Sequence, residues 1–128
     1  MVVDASALLA ILKGEREEKL FTGILASSSL NRISPVNWFE TSVQAEKAGR
    51  EDWLAFEGIV VRARIIITPI EEEQARLAQQ AWRRFGKGRH PARLNLGDCF
   101  AYALAKMTGE PLLFKGADFA RTDVLAAV

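Results

Sequence analysis

One histidine, His90, and one cysteine, Cys99, are all that 128 residues contain of either type, and this poverty excludes a good deal. No internal disulfide can form, so the fold has to rest on its core, and a lone thiol suits a reducing compartment; the chain is expected to be cytoplasmic. A zinc site built from several His or Cys ligands cannot be assembled, and His90, in a basic loop without a partner, reads as a surface residue. Charge of one sign is equally scarce. Seventeen basic and 16 acidic residues leave a net charge of +1, so any affinity for phosphate has to come from local clustering. Long hydrophobic runs are missing too. The apolar stretch Ala5 to Leu12 falls far short of the roughly 20 residues that span a bilayer. With Asp4 so early and Lys13 soon after, the opening lacks the form of a secretory signal. Neither a membrane segment nor an export signal is expected.

What is present is ordinary globular material. A hydrophobic share of 49% and a charged share of 26% are far from the signature of disorder, and the length suits one domain spanning residues 1–128 with its own core. Met1 to Val3 favours a strand, and Asp4-Ala5-Ser6 offers capping oxygens to a helix through Ala7 to Lys13 that Gly14 ends. A second helix is expected over Glu15 to Leu25 and a strand over Asn31 to Ser34. Ser34-Pro35 then starts a helix through Val36, Phe39 and Val43 to Gly49. Trp53, Phe56, Val60 and Ala63 predict a helix within Glu51 to Arg64, followed by a buried strand at Ile65 to Thr68. From Glu71 to Phe85 an acidic first turn, an apolar face and a basic last turn predict a long helix. After a Gly, Pro and basic loop from Gly86 to Ala92, Asn95 caps a helix reaching Gly109, and Leu112 to Phe114 forms the last strand. Strands alternating with helices throughout imply an α/β fold of three layers, α/β/α, with a mostly parallel central sheet.

Ligands of open parallel sheets sit at the carboxyl ends of the strands. Asp4 follows the first strand directly and Asp118 follows the last closely. Asp98 falls in the first turn of its helix, and Glu40, four residues after Val36 and three before Val43, falls on the inward stripe of its own. Each has a plainer reading. Asp4 and Asp98 are placed to cap helices, and Asp118, in Gly116-Ala117-Asp118-Phe119, suits a turn. Taken together, several acids at one sheet edge suit a hard divalent cation, Mg²⁺ or Mn²⁺, better than zinc. With one histidine no His dyad can activate a nucleophile, which leaves metal-activated water.

The segments MVVDASALLAIL, NWFETS, LNLGDCFAYALA and PLLFKGADFARTDV, in this order, resemble the PIN-domain ribonucleases. The last two, with the GKGRH loop before them, are especially similar to the VapC-like toxins of type II toxin–antitoxin pairs. The resemblance implies that Asp4, Glu40, Asp98 and Asp118 form the family's acidic quartet, which binds Mg²⁺ or Mn²⁺, with Ser6 beside it. Asp123, in Thr122-Asp123, is the alternative fourth acid. It also implies an RNA substrate, a VapB-like antitoxin partner that covers the site, and a homodimer. In-line attack by activated water leaves a 5′-phosphate and a 3′-hydroxyl.

For substrate contact, Lys115 and Arg121 flank Asp118. Arg89 belongs to a stretch, Arg83, Arg84, Lys87, Arg89, His90 and Arg93, with no acid inside it. That stretch reads equally as a phosphate track and as a solvated helix end. Trp38, Trp53 and Trp82 read as core or interface residues, and the Trp53, Phe56 and Val60 face as a candidate interface. Two rival functions remain open. Asp4-x-Ser6 after a strand suits a phosphatase with Asp4 as nucleophile, although Ser6 stands where that chemistry needs a second Asp. A module that binds RNA or a protein without cutting has no use for four acids.

Overall fold

Val2 and Val3 explain the layering in two residues. Neighbouring strand side chains point to opposite faces, and Val2 packs into one buried cluster while Val3 packs into another. Leu112 and Leu113, on the strand paired directly with them, repeat the division, Leu112 with Val2 and Leu113 with Val3. Both faces of the sheet are therefore covered.

The computed structural model describes all 128 residues. In chain order they form β1 (Val2–Val3), α1 (Ala5–Leu12), α2 (Glu18–Ser27), β2 (Asn31–Ile33), α3 (Pro35–Ala48), α4 (Arg50–Arg62), β3 (Ile65–Ile67), α5 (Glu72–Phe85), α6 (Leu96–Thr108) and β4 (Leu112–Leu113). A single 3₁₀ turn, Phe119–Arg121, follows. The four strands lie in the order β3-β2-β1-β4 and every pairing is parallel. This is the three-layer α/β/α arrangement expected, with an all-parallel sheet. Near the C-terminus Ala126 adds a parallel bridge to Leu112, shielding the outer edge of β4. No helix is long and apolar enough to cross a membrane.

Local chemistry accounts for the helix starts. Asp4 caps α1, Ser34 caps α3 with Pro35 next, and Asn95 with Asp98 forms a reciprocal capping box at α6; such caps contribute about 1 kcal/mol each. Gly109, at φ +70°, supplies the left-handed turn that stops α6. Elsewhere the structure corrects the expectations. Helix α2 starts at Glu18 rather than Glu15, because Glu15 accepts in a turn that pairs it with Lys115 instead. Strand β3 is an edge strand, so Ile66 and Ile67 are 49% and 42% exposed where a fully buried strand was expected. The apolar face of α4 is no free interface: Phe56 is wholly buried against Trp38 and Trp53, and Val60 packs on the same core.

Candidate active site

The turn between β1 and α1 delivers Asp4 to the carboxyl edge of the sheet and buries it. Its Oδ2 accepts from the Ser6 amide at 3.0 Å and the Ser6 hydroxyl at 2.6 Å. Ser6 Oγ in turn accepts from the Lys115 amide at 3.0 Å, tying this turn to the loop after β4 that carries Asp118. The backbone amide of Asp4 also donates to the Leu113 carbonyl, so the first and last strands end side by side.

Helix α3 comes to this edge through Asn37, which sequence reasoning missed. Asn37 is fully buried; its amide donates to Asp4 Oδ1 at 3.4 Å and to the Gly97 carbonyl at 3.0 Å. Glu40 follows one helical turn further on, near enough for Asn37 to lower its carboxyl against the effect of burial. The signal was available in Asn37-x-x-Glu40, a polar residue one turn before an acid, but an Asn there has many surface uses. Glu40 itself is solvent-accessible at the rim. The inward stripe belongs to Asn37, Thr41 and Ala45, one residue-step round the helix from the position expected.

Helix α6 meets α3 at Gly97. A Cβ on that residue would stand 3.1 Å from Glu40 Oε1 and 3.3 Å from Oε2, so only glycine leaves the carboxylate undisturbed. Asp98 follows, half-buried, with Oδ2 accepting from the Asn95 amide at 3.0 Å. The plain readings of Asp4 and Asp98 as caps thus hold, and they coexist with the site, since each cap engages one carboxylate oxygen and leaves the other.

Electrostatics show that these acids share one neighbourhood. Burial pushes Asp98 up to about 7, and the charges of Asp4, Asp118 and Glu40 push in the same direction, against the pull of the Asn95 amide. Glu40 is raised by burial and then by Asp4. Asp4 is raised by burial, against the hydrogen bonds from Ser6. Desolvation is thus the leading cause at all three, and repulsion by neighbouring carboxylates adds to it at Glu40 and Asp98. Asp118 is exposed, on the turn leading into Phe119. Asp123 lies elsewhere: it accepts from Tyr102 Oη at 2.6 Å, Lys106 Nζ at 3.3 Å and Arg84 Nη1 at 3.4 Å, which hold its carboxyl below the usual range. Of the two, it is Asp118 and not Asp123 whose charge acts on Asp98. No three His, Cys, Asp or Glu side chains stand close enough to form a ready-made metal cage.

The basic residues divide. The ammonium of Lys115 is held by Glu15 and Glu17, so this cation is compensated rather than free for phosphate. Arg89 lies over the Trp82 ring at 4.8 Å and donates to the Arg83 carbonyl. Arg121 donates to the Pro91 carbonyl. His90 is not a bare surface residue: its Nδ1 accepts from the Ala92 amide at 3.0 Å, and its ring packs edge-on against Phe85.

Carboxylates gathered where parallel strands end, between the amino-terminal turns of α3 and α6, define an acidic α/β/α domain of the PIN type. The PIN domain family model matches residues 1–125. The chain is 43% identical over 127 residues, 98% of each chain, to a ribonuclease VapC from Mycolicibacterium smegmatis. Its fold superposes on the Mycobacterium tuberculosis toxin VapC20 with a TM-score of 0.71 and 21% identity, covering 97% of this chain and 95% of that one. A toxin–antitoxin complex from Klebsiella pneumoniae gives a TM-score of 0.74 at 22% identity, covering 99% and 97%. The chain belongs to the PIN-domain family, and within it to the VapC ribonucleases.

Proposed function

We propose that this protein is an endoribonuclease, the toxin of a toxin–antitoxin pair, working with Mg²⁺ or Mn²⁺ in the cytoplasm. Residues 1–128 act as one domain. The observation that carries the reading is the setting of Asp98, whose carboxyl feels the charges of Asp4, Glu40 and Asp118 together. The donor set fits the ion: all four are carboxylates, Asp4 Oδ1 has only one long hydrogen bond, from the Asn37 amide, and the oxygen of that amide is buried without a partner. Oxygen-only donors suit a hard cation that retains some of its water and so needs no complete protein cage.

Asp4, Glu40, Asp98 and Asp118 would hold the ion, which supplies positive charge that polarises the phosphodiester and favours the ionised form of water. The chain's residues do the rest. Ser6 fixes Asp4 through two hydrogen bonds and leaves Oδ1 toward the site. The capping box fixes Asp98 on a rigid helix rather than a loop. Proton removal from the attacking water falls to a carboxylate oxygen of the cluster that the ion leaves free. Arg121 and Arg89, exposed and without a carboxylate partner, are assigned phosphate contacts; a strand engaging Lys115 has to compete with Glu15 and Glu17.

Two partners accompany the activity. Membership of the VapC group and the likeness to a toxin–antitoxin complex support an antitoxin. A homodimer is supported by apolar exposure beside the site: Phe39 is 64% and Leu96 68% exposed, on either side of the Glu40 to Gly97 contact. Trp82 and Leu96 also border an apolar groove of about 340 Å³ between α5 and α6.

Incubating purified protein with 5′-labelled RNA in Mn²⁺ or EDTA tests the reading. Cleavage in Mn²⁺ alone, with 5′-phosphate and 3′-hydroxyl ends, is expected. A 2′,3′-cyclic phosphate product would refute the water mechanism, and RNA retarded without being shortened would refute catalysis.

A further inference from the structure

Asn37 is polar, fully buried and placed where three elements converge. Buried polar groups are normally satisfied on every side, and those that are not call for an explanation. Its amide nitrogen donates to Asp4 on the β1 turn and to the Gly97 carbonyl at the start of α6, and it lowers Glu40 on its own helix. These two hydrogen bonds cannot be taken over by a neighbouring residue: Ser34 caps α3, and Thr41 turns back to the Asn37 carbonyl at 2.8 Å. The oxygen of the same side chain, Oδ1, is buried without any partner.

We propose that Asn37 is the positioning residue of the acidic site, an amide that spaces Asp4 and Glu40 and pins the first turn of α6, and that its unpartnered oxygen accepts a hydrogen bond from water carried by a bound divalent cation. The proposal rests on the divalent-cation reading above. Two carboxylates facing each other across a site need positive charge between them, and the partial charge on the amide hydrogens supplies it in the metal-free protein. Pinning Gly97 matters equally, because Gly97 is where α6 touches the Glu40 carboxylate and Asp98 is the next residue. One side chain thereby relates three of the four acids. Acceptance by Oδ1 requires a donor, and a hydrated cation brings donors where free carboxylates bring none.

The test measures Mn²⁺ affinity without RNA, by electron paramagnetic resonance titration, in the wild type, Asn37→Leu and Asn37→Ser. Leucine keeps the volume and removes both hydrogen-bonding functions; serine keeps a hydroxyl and disturbs the packing differently, so it carries the measurement should leucine fail to fold. Outer residues that orient metal ligands are typically worth 10–100-fold in affinity. At least tenfold weaker Mn²⁺ binding is expected in a variant whose circular dichroism matches the wild type, with serine weakened less than leucine. Affinity within twofold of wild type in a folded variant would overturn the proposal. If the wild type itself does not bind Mn²⁺, the cation reading fails rather than the role of Asn37, and amide hydrogen exchange at Gly97 to Cys99 then decides. Faster exchange in the variant supports the pinning, and unchanged exchange overturns it.

Discussion

Replacing Asp98 by asparagine should stabilise the metal-free protein while abolishing cleavage, and the size of the gain can be worked from the site. The Asp98 carboxyl titrates at about 7 in the fold against an ordinary 3.8. Fully expressed, that difference corresponds to about 4 kcal/mol of penalty on the ionised folded state. Asp98 is only half-buried, and solvent screening reduces the figure to about 1–2 kcal/mol. Asparagine retains an oxygen to accept from the Asn95 amide, so the helix cap survives and the change isolates the charge. In a chain of this size a gain of that order raises the Tm by about 4–8 °C. The sign follows from proton binding. Well below pH 3.8 the carboxyl is protonated in both folded and unfolded chains and no penalty exists, and at pH 4 only a small part of it has developed. As pH rises from 4 to 7 the unfolded chain gives up the proton first, so wild-type stability falls, and above 7 the full penalty is present. Thermal melts in EDTA should therefore show Asp98→Asn clearly more stable at pH 8 and nearly equal to wild type at pH 4. A variant no more stable at pH 8, or equally favoured at both pH values, would refute the account of a buried carboxyl crowded by other acids.

Saturating Mn²⁺ should raise the wild-type Tm, by the equivalent of about 3 kcal/mol at a hundredfold excess over Kd, and leave Asp98→Asn almost unmoved; calorimetry in the two states checks it. Gly97→Ala should lower kcat by less than the roughly 100-fold of a full ångström's misplacement, on the order of several-fold, through a small displacement of Glu40, while costing little stability, as read by RNA cleavage beside a denaturant melt. Asp118→Asn and Asp123→Asn should part company: the first loses cleavage and keeps its stability. The second loses about 1–2 kcal/mol with the Tyr102, Lys106 and Arg84 contacts yet cleaves RNA when folded, which parallel urea unfolding and activity assays will show.

The sequence by itself determined the layered α/β plan, because alternation of capped helices with short β-favouring runs leaves parallel pairing as the way to join them. It also offered four acids as candidates, each carrying a plainer reading as a cap or turn residue. It could not say which way a helix is rolled. Glu40 was expected on the inward stripe of α3, and the difference of one step, set by packing against α1 and α6, places Asn37 inside and Glu40 at the rim. Nor does periodicity reveal strand order: Ile65 to Ile67 is as apolar as a central strand, and only its place at the sheet edge exposes Ile66 and Ile67. Asp118 and Asp123 stand five residues apart in similar surroundings in the chain. Their separation into a neighbour of Asp98 and a partner of Tyr102 was decided by the tertiary structure, because contacts between residues distant in sequence form only when the layers close.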